Sequence, residues 1–114
     1  MKSYIYHFME EEYKLGFHFG RYVNNGNLYI GLLNLGNEVD PYFCDLTINV
    51  ISLPLYKAAI DNSLDGSICD WLESIGAGKV CDQRVRNGFC SFPLFMFDPQ
   101  FLKEANLESF SNLF

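Results

Sequence analysis

The tripeptide Asn24-Asn25-Gly26 obliges this chain to fold back on itself. Asn-Gly accepts positive φ at both central positions of a tight turn, and the twist of such a turn matches that of two paired strands. The residues before it alternate with period two. Tyr13, Leu15, Phe17 and Phe19 fall on one face, and Lys14, Gly16, His18 and Gly20 on the other. That is the pattern of a half-buried strand. A hairpin with a two-residue Asn-Gly turn is therefore expected, pairing Phe17–Val23 with Leu28–Leu33.

Other extended segments flank it. Tyr4–Phe8 reads as a short strand with bulky groups on both faces, and Glu10-Glu11-Glu12 as a solvated turn. After Gly36-Asn37 and Pro41, the stretch Tyr42–Val50 alternates again. Cys44, Leu46, Ile48 and Val50 are expected to face the core, and Asp45, Thr47 and Asn49 to face outward. Pro54 makes Ser52–Asp65 irregular, with a short extended piece at Lys57–Ile60. The period then changes. Ile68, Trp71, Leu72 and Ile75 recur at helical spacing, with Asp65 or Ser67 as cap and Gly76 and Gly78 as terminators. Arg84–Phe97 returns to extended structure around Asn87-Gly88. Its apolar run Cys90–Phe97 fits a strand buried on both faces or lying under the partner of a homodimer, and Pro93 argues for an edge. Asp98-Pro99 opens a final helix, docked through Phe101, Leu102 and Ala105. The expectation is one α+β domain spanning residues 1–114. It has an antiparallel sheet of about five strands in a meander, one amphipathic helix packed on it, and a C-terminal helix.

Charge is distributed unevenly. Between Glu38 and Glu73 stand seven acids (Glu38, Asp40, Asp45, Asp61, Asp65, Asp70 and Glu73) and one base, Lys57, so this stretch alone carries the net charge of −6. Such a field steers basic partners and disfavours direct contact with nucleic acid. Hydrophobic residues make up 49% of the chain, so part of the apolar surface is expected to be covered by a second copy or a partner. No apolar run reaches the roughly 18 residues of a membrane span. Met1-Lys2-Ser3-Tyr4 has no signal-peptide pattern, and a cytoplasmic location is expected. Cys44, Cys69, Cys81 and Cys90 are then free thiols, with Cys44 and Cys90 packed as small apolar groups.

No motif spells out a reaction. His7 and His18 on strands near Glu10–Glu12 would suit acid–base work, but there is no nucleophile motif beside them. Ser52, Ser63, Ser67 and Ser91 lack a G-x-S-x-G setting. Asp61–Gly66 lacks the ligand spacing of a calcium loop, and Gly76-Ala-Gly78-Lys79 lacks the upstream glycine of a phosphate loop. The cysteine spacing contains no zinc pattern, and no metal or cofactor is expected. Arg84 and Arg86 sit two apart on one strand face. They would either clamp an anion or neutralise carboxylates such as Asp82.

Three stretches carry a family resemblance: Tyr22-Val-Asn-Asn-Gly-Asn-Leu28, Asp40-Pro-Tyr-Phe-Cys-Asp-Leu-Thr-Ile-Asn49 and Arg84-Val-Arg-Asn-Gly-Phe-Cys-Ser-Phe-Pro-Leu-Phe95. With Trp71-Leu-Glu-Ser-Ile75 between them, the chain resembles domain of unknown function 4313, a family of small proteins of bacterial plasmids, conjugative elements and phages. It departs from the family pattern at Ile60–Asp65 and at Asn87, where the family has Ser. The resemblance implies an α+β domain of mobile-element origin, some of whose relatives inhibit CRISPR nucleases. It implies no catalytic residues.

The functional expectation is thus a non-enzymatic inhibitor of a bacterial defence system. It would bind a Cas nuclease or similar basic protein through the seven acids. Two rivals are a binder of a nucleotide signal using Arg84 and Arg86 in an aromatic pocket, and a structural accessory protein of the element.

Overall fold

Two four-stranded antiparallel sheets, rather than one sheet of five strands, form the body of the protein. The computed structural model describes all 114 residues. The first sheet is a meander of β1 (Tyr4–Phe8), β2 (Glu11–Arg21), β3 (Leu28–Asn34) and β4 (Tyr42–Asp45). The second takes β5 (Thr47–Ile48), β6 (Lys57–Ile60), β7 (Gly78–Asn87) and β8 (Cys90–Phe97), in the order β5-β6-β8-β7. Three helices complete the chain: α1 (Ile68–Ser74), α2 (Pro99–Ala105) and α3 (Leu107–Ser111).

One residue joins the sheets. Fully buried Leu46 donates its N–H to Ile30 O on β3, and its carbonyl accepts from the N–H of Asp61, just beyond β6, both at 2.9 Å. The strand expected over Tyr42–Val50 therefore changes partners at its midpoint, and the expected alternation ends there. Thr47 turns inward instead of outward, and its Oγ1 accepts from the Ile30 N–H at 3.1 Å. Ile48 and Val50 pack on a second, smaller cluster made by Ala59, Val85, Phe92 and Leu94. A strand that bends from one sheet into another re-aims every side chain beyond the bend.

The second sheet also departs from a meander. β8, not β7, lies beside β6, with Ala58 opposite Phe95 and Ala59 opposite Leu94. Composition explains this order. β8 is apolar on both faces, Phe95 and Phe97 entering the main core and Phe92 and Leu94 the small one. β7 carries Lys79, Asp82, Arg84 and Arg86 and takes the edge, where charged side chains discourage further pairing. Pro93 is thus on an inner strand, contrary to expectation. It fits because β6 pairs with β8 only as far as Leu94, and the β7 register shifts between Val80 and Arg84.

The hairpin turns exchange roles. Phe8 pairs with Glu11, so Met9 and Glu10 form a two-residue turn with φ of 50° and 65°; Glu11 and Glu12 already belong to β2. At Asn24-Asn25-Gly26 the two predicted strands do pair, but two residues out of the expected register: Arg21, not Val23, stands opposite Leu28, and Val23 lies in the turn. The turn is wider than two residues: Tyr22 N–H donates to Asn27 O, and Gly26 N–H returns to Tyr22 O, both at 2.8 Å. Only Gly26 there has positive φ, at 74°. The asparagines work sideways instead. Asn25 Nδ2 reaches Asn49 Oδ1 (3.1 Å) and Val50 O (3.0 Å). Buried Asn27 donates to Ile51 O (2.8 Å) and accepts from Leu53 N–H (2.9 Å). This network clamps residues 49–53 over the small cluster.

Helices seal the free strand edges. β2 outruns β1, leaving its backbone near Phe17 and Phe19 without a strand neighbour on that side. Buried Asn106 donates to Phe17 O at 2.9 Å, and the Ser109 hydroxyl pairs with both the N–H and the carbonyl of Phe19. Asn106, in extended conformation, splits the single expected C-terminal helix into α2 and α3, and its side chain caps the second at Ser109 N–H. Asp98 caps α2 ahead of Pro99, as predicted. The main core joins both sheets to Ile68 and Leu72 of α1, Phe101, Leu102 and Ala105 of α2, and Leu113.

Candidate functional site: carboxylates held by neutral donors

The seven acids occupy three places in this architecture. Glu38 and Asp40 are exposed in the turn between β3 and β4, shaped by Asn37 Oδ1, which accepts from the N–H groups of Val39 and Asp40. Asp45 and Asp61 flank the corner at Leu46. Asp65 precedes α1, and Asp70 and Glu73 lie on it.

Each of the better-held carboxylates is gripped by a neutral donor. Tyr29 donates its hydroxyl to Asp45 Oδ1 at 2.6 Å. Ser63 donates its N–H and hydroxyl to Asp61 Oδ1 at 3.1 and 2.6 Å. Tyr6 donates to Asp65 Oδ2 at 2.6 Å, while the N–H and hydroxyl of Ser67 meet Oδ1. Ser67 is therefore not a side-chain cap of α1; it closes a turn on Asp65. Glu73 Oε2 accepts the N–H of Val80 on β7 at 3.0 Å. The hydrogen bonds of the basic side chains go elsewhere: Arg21 to Gly26 O, Lys57 to Gln83 and Arg84 to Ser91. A carboxylate fixed by a hydroxyl keeps its full charge for a partner, whereas one fixed by a guanidinium does not.

The local field follows from this placement. Burial first, then the charges of Asp45 and Asp61, push the Cys44 thiol up to about 11. Burial and the charges of Asp70 and Glu73 likewise push Cys69 up to about 11, against a smaller opposing effect of Arg84. Both thiols thus stay protonated near neutral pH and are poor nucleophiles. Burial raises the Asp65 carboxyl, but the donors Tyr6 and Ser67 outweigh it and hold the group below its ordinary value. Cys44 packs against the core as expected, whereas Cys90 is exposed beside the β7–β8 turn and does not.

Arg84 and Arg86 are both exposed on β7, opposite Pro93 and Ser91. Arg84 forks around Ser91, with Nε to Oγ at 2.9 Å and Nη2 to the carbonyl at 2.8 Å, rather than pairing with Asp82. Neither arginine lines a concavity. One hollow of about 360 Å3 lies between Met1 and α3, and another of about 460 Å3 lies among Glu73, Gly76, Gly78, Lys79, Met96, Phe97 and Asp98. His7 stands opposite Glu12, which lies on β2 rather than in the expected turn, while His18 meets Tyr29 edge to face instead of the Glu10–Glu12 carboxylates. Sequence reasoning missed Tyr6 and Tyr29, the two hydroxyls that aim Asp65 and Asp45. No local signal marks them, because their partners lie 59 and 16 residues away.

A family model described as Domain of unknown function (DUF4313) matches residues 16–113, nearly the whole chain. The chain belongs to that family. No curated protein and no solved structure matches it. The three stretches that carried the resemblance come together in this fold. Asn25 and Asn27 of the first meet Asn49 of the second, and Arg84 and Ser91 within the third bind each other. No helix is long and apolar enough to cross a membrane.

Proposed function

We propose that this DUF4313 protein works by binding rather than by catalysis, offering the carboxylates of residues 38–73 to a basic protein surface. The observation that carries this reading is that four of them, Asp45, Asp61, Asp65 and Glu73, are held by tyrosine, serine and backbone donors and none by a lysine or arginine. Groups held in this way lose little conformational freedom on association and keep their charge, which favours fast, oriented encounter with a cationic patch. A surface that normally tracks phosphates has that character. The family resemblance supplies the class of partner: a nucleic-acid-binding defence effector such as a Cas nuclease, met in the host cytoplasm.

The test adds the protein to a Cas effector and measures DNA cleavage and complex formation. Inhibition should weaken as salt rises, since the Debye length is only about 8 Å at physiological ionic strength. The triple variant Glu38→Gln, Asp40→Asn, Asp70→Asn removes charge while sparing the bonds to Tyr6, Tyr29 and Val80, and it should bind at least ~10-fold more weakly. Unchanged binding by that variant, or binding insensitive to salt, refutes the electrostatic reading.

A further inference from the structure

The outer face of the first sheet, turned away from the core, gathers aromatic rings around one carboxylate. His18 and Asp45 both pair with Gly31, and Tyr29 lies two residues along the same strand, so all three project on one side. The Tyr29 ring is braced edge to face by His18 and by Tyr22, with centroids at 5.5 and 5.6 Å. Gly31 makes this possible: a Cβ there would collide with Nε2 of His18 and stand 2.6 Å from the Tyr29 hydroxyl. Tyr42, on β4, is 55% exposed; it stands opposite Leu33 as Asp45 stands opposite Gly31, and the register shift between them leaves both on this same face. Asp45 itself is open to solvent, and Tyr29 occupies one of its two oxygens.

We infer that Tyr29, Tyr42 and Asp45 form the seat for an arginine side chain of the protein partner. This rests on the reading that the partner is basic and adds the group by which it is recognised. A guanidinium is planar, hydrogen-bonds a carboxylate through its fork and stacks on aromatic faces, whereas an ammonium is a strongly hydrated point charge. Tyr29, fixed by the rings of His18 and Tyr22, offers that flat surface at low entropic cost, and Tyr42 adds a second, exposed ring. Among the seven acids, Asp45 alone combines an exposed carboxylate with a tyrosine donor and a second exposed tyrosine beside it.

The probes are two peptides of equal length and charge, one alternating Arg and Gly, the other Lys and Gly, titrated by calorimetry and by NMR at low salt. The Arg peptide should bind about 10-fold more tightly than the Lys peptide and shift the ring signals of Tyr29 and Tyr42. Asp45→Asn, which keeps an acceptor for Tyr29, and Tyr42→Ala, at an exposed position, should each reduce Arg binding to the Lys level. Amide spectra establish that both variants are folded. Equal affinity for the two peptides, or Asp45→Asn binding like the parent, overturns the seat. If Asp45→Asn is silent but the Glu38, Asp40 and Asp70 variant loses both peptides, the acidic-surface reading stands without the seat. If neither peptide binds, both readings fall.

Discussion

Trp71 donates its indole N–H to the carbonyl oxygen of Ile5 at 2.8 Å, joining α1 to the outer edge of β1. Two residues further along the same helix, Glu73 accepts the N–H of Val80 on β7. β1 and β7 are the terminal strands of their respective sheets, and Leu46 joins those sheets at the opposite side. One short helix therefore spans the opening between the two free edges and gives each a side-chain hydrogen bond. At those two points, Ile5 and Val80, the backbone group is no longer free to pair with another strand.

Replacing Trp71 separates its two contributions. Trp71→Phe keeps a ring against Tyr6 and Phe17, whose centroids lie 4.9 and 6.0 Å from that of the indole, but removes the donor to Ile5. It should cost about 1 kcal/mol in urea unfolding. Trp71→Ala removes the packing as well and should cost about 3 kcal/mol. Equal losses in the two variants would show that the hydrogen bond, not the ring, holds α1 in place.

The turn at Met9-Glu10 leaves room for improvement. Both residues adopt left-handed φ, which costs a side-chain-bearing residue about 1 kcal/mol each. The double variant Met9→Asn, Glu10→Gly should raise the urea midpoint, with a gain of about 1–2 kcal/mol and an unchanged slope. A lowered midpoint would mean that the exposed Met9 side chain contributes a contact absent from this geometry.

Two glycines should respond differently to alanine. At Gly78, φ is 152° and a Cβ would strike the backbone carbonyl of Met96 and lie 2.9 Å from the Phe95 ring. Neither can retreat without breaking the β7–β8 pairing, so Gly78→Ala should cost about 3 kcal/mol or more. At Gly31 the obstacles are the ends of His18 and Tyr29, which can swing outward. Gly31→Ala should fold with a cost of about 1 kcal/mol and detach Tyr29 from Asp45, visible as a shifted tyrosine ring signal. Similar thermal midpoints for the two variants would contradict this contrast.

Stability should fall at both ends of the pH range, for opposite reasons. The Asp65 carboxyl is held below its ordinary 3.8, so its contribution is complete above that value and fades as pH drops through the lower folded value. Asp65→Asn should flatten the acid limb. Tyr6 and Tyr29 lie well above their ordinary 10.0, through burial first and then their bonds to Asp65 and Asp45. Above that pH the unfolded tyrosines ionise while these two resist, and stability declines. Tyr6→Phe should soften the alkaline limb in denaturation curves recorded between pH 8 and about 11; an unaltered limb would remove Tyr6 from the account.

The amino-acid sequence by itself determined which segments extend and which coil. The extended segments before the first proline became β1 to β3, the Ile68–Trp71–Leu72–Ile75 stripe became α1, followed by Gly76 at positive φ while Gly78 opens β7, and Asp98-Pro99 opened α2. These are local matters, settled by side-chain spacing and backbone preference within a turn or two. Only the tertiary structure decided the rest. It bent one strand at Leu46, placed β8 inside β7, turned Asn25 and Asn27 toward Asn49, and brought Tyr6 to Asp65 and Tyr29 to Asp45. Each of those outcomes depends on groups distant in the chain competing for the same buried surface and the same unpaired backbone. Such a competition has no signature in any short window of residues.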